Sequence, residues 1–383
     1  MFSMFHRSAA LAVLAVTTSL ALTSCARAPE IIKIGVAQPL SGDLAGLGKD
    51  MLNGVQLAVD EINKQGFKVN GNPAQFEVVA VDDKAQSEEA KKVAQQLVEA
   101  GVVAVVGHLN SDASIKAAPI YAQKSIAQMA ISTNPQFTEL GHSTTFRLVA
   151  NDNLQARAVG NYSANQMVKT KFAVIDDGTV YGKGLADDAA KLLEGRKTVV
   201  IRQSFDDKTK DFTALAAKIQ AAGVEVILTT LGDFQVIAVI NALEKIGYSK
   251  QVSILGTDTI KTAEMIQYAG KVISMHSTSP VLDVKELPGG AAFLNRYTST
   301  YNAQPAYGSH YSYDAVYMLA AAIKQSGSAE PAKITQTLHT MSGFAPVTGS
   351  MRWTDKGEQR EGQVGVYTVR GTQWESVARS DKW

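Results

Sequence analysis

One cysteine, Cys25, is the whole complement of thiols in 383 residues, so no internal disulfide can hold this chain together. Neither sign of charge is in excess: 37 Lys and Arg stand against 36 Asp and Glu, a formal net charge of +1. That balance gives no basic face for nucleic acid and no acidic tail. After the first 24 residues no apolar run is long enough to span a bilayer. The histidines beyond that segment, His108, His142, His276, His310 and His339, include no two at metal-ligand spacing, and neither H-E-x-x-H nor C-x-x-C occurs. The phosphate-loop pattern is missing, Gly42, Gly46 and Gly48 do not spell G-x-G-x-x-G, and there is no G-x-S-x-G elbow. Each absence is weak alone, because triads and metal sites can be assembled from distant residues. Together they disfavour an enzyme, and no metal or cofactor is expected. Repeats of solenoid period, low-complexity tracts and long polar linkers are also missing.

The N-terminus reads as an export segment over residues 1–24. His6 and Arg7 precede an apolar run from Ala9 to Leu22, too short for a spanning helix. Leu22-Thr23-Ser24-Cys25 then resembles a bacterial lipobox, in which the cysteine is lipidated and becomes the mature N-terminus. Ala26-Arg27-Ala28 offers the alternative of ordinary cleavage after Ala28. Either route places the mature chain outside the cytoplasm, in the periplasm or cell envelope, touching the membrane at most through a lipid on Cys25.

From Ile31 onward short apolar strands alternate with amphipathic helices. Ile31–Val36 reads as a strand, the stretch with Leu52, Val55, Val59 and Ile62 as a helix, and Gly66 as its C-cap. Phe76–Val81, Val102–Val106 and Ile126–Ile131 continue as strands, with helices over Ser87–Glu99, Ile115–Gln123 and Leu154–Val168. A second series repeats the rhythm through strands at Phe172–Asp176, Val199–Phe205, Val226–Leu231 and Val252–Leu255. Such alternation implies parallel sheets covered by helices on both faces, and two series imply two doubly wound lobes. After His276 three helices and two short strands near Met351 and Val364 are expected; that tail must join sheets already built.

Several motifs then fall in order. Ile34-Gly35-Val36-Ala37-Gln38-Pro39-Leu40-Ser41-Gly42 opens the mature chain and Asn53-Gly54-Val55-Gln56-Leu57-Ala58-Val59-Asp60-Glu61-Ile62-Asn63 follows. Asp82-Asp83, Val105-Val106-Gly107-His108-Leu109-Asn110-Ser111 and Tyr181-Gly182-Lys183-Gly184-Leu185 come after. The set resembles the periplasmic leucine/isoleucine/valine-binding proteins of branched-chain amino acid ABC transporters, from about Ile34 to about Gly371. The resemblance implies an α/β fold of two Rossmann-like lobes joined by three hinge crossings, near Leu148, His276 and Val364, with a ligand cleft between them. The lobes would comprise residues 31–148 plus 277–362 and residues 149–276 plus 363–383.

A cleft that closes on an amino acid must replace the hydration of a carboxylate and an ammonium. Ser111, between a strand and a helix start, has a hydroxyl and nearby N–H groups suited to a carboxylate, and the resemblance gives it that role; the same residue would serve as an N-cap. Thr133, with Ser132 beside it, matches a ligand-contacting threonine just before x-Pro, though a pre-proline turn would use the same residues. Asp258 matches an acidic position, often Glu, that pairs with the ammonium. Asp233 is a further candidate where branched-chain binders tend to carry an aromatic, and a second carboxylate would favour a more cationic or hydroxylated ligand. Tyr181 matches a tyrosine covering the ligand, Leu47 stands where many relatives have an aromatic, and Tyr307 is a pocket-wall candidate. His108 reads as a strand-end structural histidine, and Tyr311, Tyr313 and Tyr317 as core and interface residues.

The expectation is therefore a monomeric, non-enzymatic solute receptor for an amino acid, branched-chain or related, delivering it to the transmembrane subunits of an ABC permease. The alternatives are a receptor of the same fold for an amide, urea or aromatic acid, or an extracellular sensing module.

Overall fold

A computed structural model describes residues 28–382. The export segment and the Cys25 motif lie outside the described residues. The strands are β1 Glu30–Gln38, β2 Lys68–Val69, β3 Asn72–Asp82, β4 Ala104–Gly107, β5 Ala127–Ala130, β6 Thr145–Arg147, β7 Lys171–Asp176, β8 Thr198–Ser204, β9 Val226–Thr229, β10 Ser253–Gly256, β11 Met275–Ser279, β12 Gly365–Arg370 and β13 Gln373–Arg379. The α-helices are α1 Ala45–Gln65, α2 Ser87–Glu99, α3 Ser111–Ala122, α4 Gln136–Glu139, α5 Asp152–Asn165 and α6 Val180–Leu193. They continue as α7 Thr213–Ala222, α8 Asp233–Lys245, α9 Ala263–Ile266, α10 Gly290–Tyr301, α11 Ser309–Ser326 and α12 Pro331–Thr340.

Two sheets form, in the orders β2-β3-β1-β4-β5-β6 and β13-β12-β11-β10-β9-β7-β8. Pairing is parallel except at β2–β3 and at the β11–β12–β13 edge. Strands β4, β5, β9 and β10 are buried at every position because helices cover both sheet faces. Strand β8, at the edge of the second sheet, alternates exposed and half-buried positions instead.

The chain leaves the first sheet after β6, returns after β11 and crosses again before β12. Strand β11 belongs to the second sheet through Ser279, so the boundary expected at His276 moves three residues on. A second correction concerns the tail. Met351 makes only an isolated bridge to Gly343, and the strand pair is the β12–β13 hairpin, turned at Gly371 with φ +60°. At the hinge, Gly362 lies so close to Ala150 that a Cβ would fall 2.8 Å from its Cα.

The first lobe's core joins Val36 and Val106 to Val55 of α1 and Val316 and Ile323 of α11. The second lobe's core joins Ile175, Ile227 and Ile254 to Ile219 and Ile240. Helices α1 and α11 approach closely at Gly54, where a Cβ would sit 2.0 Å from the Ser309 carbonyl oxygen. Gly54→Ala must therefore push the start of α11 away, and should destabilise the protein by roughly 1–3 kcal/mol as an overpacked contact. A urea denaturation midpoint equal to that of the parent would contradict this packing.

Candidate functional site

The strand ends place the candidates. In open parallel sheets, ligands bind beyond the carboxyl ends of the strands. Here β4 leads to Ser111, β5 to Thr133, β7 to Tyr181, β9 to Asp233 and β10 to Asp258. The first two come from one lobe and the last three from the other.

Ser111 is the first residue of α3 and is buried. The residue before it, Asn110, occupies the cap position with extended backbone but makes no side-chain cap bond. Ser111 is thus not the N-cap. Its Oγ accepts from the Asn134 N–H at 3.3 Å, which leaves its proton to donate. The N–H groups of the first turn have no intrahelical acceptor, and the helix dipole makes that end attractive to an anion. Thr133 is buried in the neighbouring loop, and its carbonyl accepts from the Asp152 N–H at 2.9 Å.

Asp258 is the hub of the opposite wall. It begins a short 3-10 turn and is nearly buried. The Tyr307 hydroxyl donates to its Oδ2 at 2.7 Å, and the Tyr181 hydroxyl to its Oδ1 at 2.8 Å. Gln155 Nε2 donates to Oδ1 at 3.1 Å while also reaching the Thr278 carbonyl at 3.1 Å. Burial pushes both phenols well above their ordinary pKa, and the Asp258 charge pushes them further. Both therefore stay protonated donors.

Tyr307 is itself fixed from below by Asp50, a residue sequence reasoning missed. The Asp50 carboxylate accepts N–H bonds from Ala306, Tyr307 and Ser309, all at 2.9 Å, and the Tyr297 hydroxyl at 2.8 Å. The tyrosine that reaches from the first lobe to Asp258 is thus clamped at its backbone.

The lobes touch at a second place. Asn134 Nδ2 donates to the Val180 carbonyl at 3.0 Å, and the Val180 N–H donates to Asp112 Oδ2 at 3.3 Å. Burial raises the Asp112 pKa in this contact. A polar latch thus joins the N-terminal ends of α3 and α6.

The Ser132-Thr133-Asn134 loop is held by Arg147, which is fully buried. Its guanidinium donates to the Ser132 carbonyl, to the Asn134 carbonyl at 3.0 Å and to Thr138 Oγ1 at 3.2 Å. Glu358 pairs with it at 3.0 Å, and the guanidinium holds that carboxyl below its usual pKa against the opposing effect of burial.

Two of the expected site residues make local contacts in this structure. The Ser132 hydroxyl donates inward to Ser114 Oγ at 2.8 Å and its carbonyl is taken by Arg147, so Ser132 supports the loop rather than facing the cleft. Asp233 opens α8 and folds onto its own helix, accepting the Phe234 N–H at 2.7 Å. The carboxylate that feels the Asp258 charge is Asp152, fully buried at the start of α5. Leu47, half-buried in the first turns of α1, makes none of the polar contacts of the site. The signal for the missed pair was Asp152-x-x-Gln155: two polar residues three apart share one helix face, just past the first crossing.

Among the described residues, the buried polar atoms left without partners include both Asp152 oxygens, Gln155 Oε1 and Asn110 Oδ1. These four can accept from a donor-rich, cationic group; the hydroxyls of Ser309 and Ser312 are left without partners as well. No three His, Cys, Asp or Glu side chains converge as a metal site would require, again among the described residues.

A family model described as periplasmic binding protein matches residues 31–373. A protein of Brucella suis biovar 1 described as Leu/Ile/Val-binding protein homolog 1 is 30% identical over 333 residues, covering 86% of this chain and 88% of its own. An amino acid binding protein of Pseudomonas aeruginosa is 31% identical over 363 residues, covering 92% and 94%. Among solved structures, the branched-chain amino acid transporter substrate binding protein of Streptococcus pneumoniae, in complex with isoleucine, superposes with a TM-score of 0.81 at 26% identity. That match covers 91% of this chain and 99% of the other.

Proposed function

The chain belongs to the periplasmic binding protein family, and on that premise we propose that it captures an amino acid between its lobes for delivery to an ABC-type importer. One arrangement supports this reading: strand ends of one lobe lead to donors and those of the other lead to a carboxylate. The α3 start with Ser111 and Thr133 supplies donors for a carboxylate, and nearly buried Asp258 supplies a carboxylate for an ammonium. The relatives named above, described as binding leucine, isoleucine and valine or solved with isoleucine, support the same class of ligand.

Closure is worth free energy only through contacts that both lobes make at once. Tyr307 meeting Asp258, and Asn134 and Asp112 meeting Val180, are such contacts. The ligand would complete the set, and the closed form would then dock on the transmembrane subunits. The protein works as a monomeric, non-enzymatic receptor in the periplasm, tethered through Cys25 if the lipobox is processed.

A thermal-shift panel of the twenty protein amino acids, with urea and benzoate, tests the reading. A ligand held at a hundred times its Kd adds about 2.7 kcal/mol of stability. Leucine, isoleucine or valine should give the largest rise. A rise with benzoate or urea and none with any amino acid would overturn it.

A further inference from the structure

We propose that Asp152 is a positioning residue of the ligand site, a carboxylate without a partner that gives up its proton when an ammonium enters at Asp258. Amino-acid capture would then be coupled to proton release. The inference rests on the reading that the ligand brings an ammonium to Asp258.

Asp152 has no other evident task. It is the first residue of α5, but Asn151 caps that helix by accepting the Leu154 N–H at 3.2 Å. Its backbone is tied to the Thr133 carbonyl. The side chain is 1% exposed. The Thr133 hydroxyl is near enough to favour the anion, yet neither Asp152 oxygen completes a hydrogen bond. A buried carboxylate in that state is costly as an anion and cheap as an acid.

The charges around it agree. Burial raises its pKa most and the Asp258 and Asp188 charges add to that, Thr133 and Arg147 oppose them, and the net is a pKa raised to about 7. The Arg147 guanidinium from β6 is largely spent on Glu358. The phenols of Tyr181 and Tyr307 both feel the Asp152 charge and remain neutral. On β11 the titratable group is His276, which bonds the Tyr162 hydroxyl farther along α5. Arg147 therefore offsets the Asp152 charge only in part. An ammonium at Asp258 would add positive charge, so the bound state favours the Asp152 anion and the proton leaves to solvent. Below pH 7 the acid form predominates before binding and the bound state must expel it, so affinity should rise with pH through the region near 7 and level off above it.

The test is titration calorimetry of the full chain at pH 7 in several buffers of different ionisation enthalpy, using the amino acid that gives the largest thermal shift. About half a proton should be released per ligand, since about half the Asp152 groups start protonated. Asp152→Asn should abolish that release and flatten the affinity profile between pH 6 and 8; a merely structural role would change affinity without removing the proton. Amino-acid binding with no proton exchange, or an unchanged release in the variant, overturns this inference and leaves the function standing. If no amino acid binds, the function falls and this inference with it.

Discussion

Asp258→Asn should weaken amino-acid binding by about 2–5 kcal/mol, the usual cost of truncating one side of a buried charge pair. At roughly 1.4 kcal/mol per tenfold, that is a loss of between about thirtyfold and several thousandfold. The substitution keeps the shape and leaves one oxygen to accept from Tyr181 or Tyr307. It removes the full negative charge and places an NH2 group either against the Tyr307 hydroxyl or against the Tyr181 hydroxyl and Gln155, according to which oxygen is replaced. The ligand ammonium would then face donors in a desolvated pocket, which penalises it twice. Calorimetric titration of parent and variant decides the matter. Equal affinity would remove Asp258 from the ammonium site, and a gain for benzoate would point to an anionic ligand.

Arg147→Met should cost about 3–5 kcal/mol of folding stability, because a half-buried carboxylate would lose its partner and three loop acceptors would each lose a donor. Glu358 would be left facing a thioether, the Ser132 carbonyl would be left without a donor in the interior, and the Asn134 carbonyl would keep only the Phe137 N–H at 3.2 Å. For a unit of this size the loss corresponds to a melting temperature lower by roughly 10 °C. Arg147→Lys should recover only part of this, since an ammonium cannot match the planar fork. Glu358→Gln should be milder, because that side chain is 24% exposed and water can reach it. Parent-like melting of Arg147→Met would show that the network carries no net stability. Because the same guanidinium holds the Thr133 loop, ligand affinity should fall along with the melting temperature.

Much of this protein was legible before any coordinates. Strands such as β4, β7 and β9 are continuous apolar runs, which is what burial on both faces demands, and Gly66 and Gly223 take the left-handed conformation their helix ends require. The residues lying directly after strand ends were legible too, because in this topology that position already faces the cleft. Asp258, Tyr181 and Tyr307 come together as one bonded cluster. Pairings between distant segments were not legible. Arg147 and Glu358 are 211 residues apart, and Asp50 meets the Tyr307 backbone across 257. The turn of the Ser132 hydroxyl toward Ser114 was not legible either, because an irregular loop does not say which way a hydroxyl turns, nor was the bond of Asp233 to its own helix start.

Local chemistry, written residue by residue, determined the alternation of strands and helices, the two lobes and the loops that would carry the site. Those features follow from periodicity and turn residues, which act over a few positions. Tertiary structure alone decided which carboxylate lies beside Asp258, where Asp152 is sealed without a partner, and how Asn134 and Asp112 latch onto Val180. Charge, desolvation and hydrogen bonding act through space, and only the folded chain brings those side chains within reach of one another.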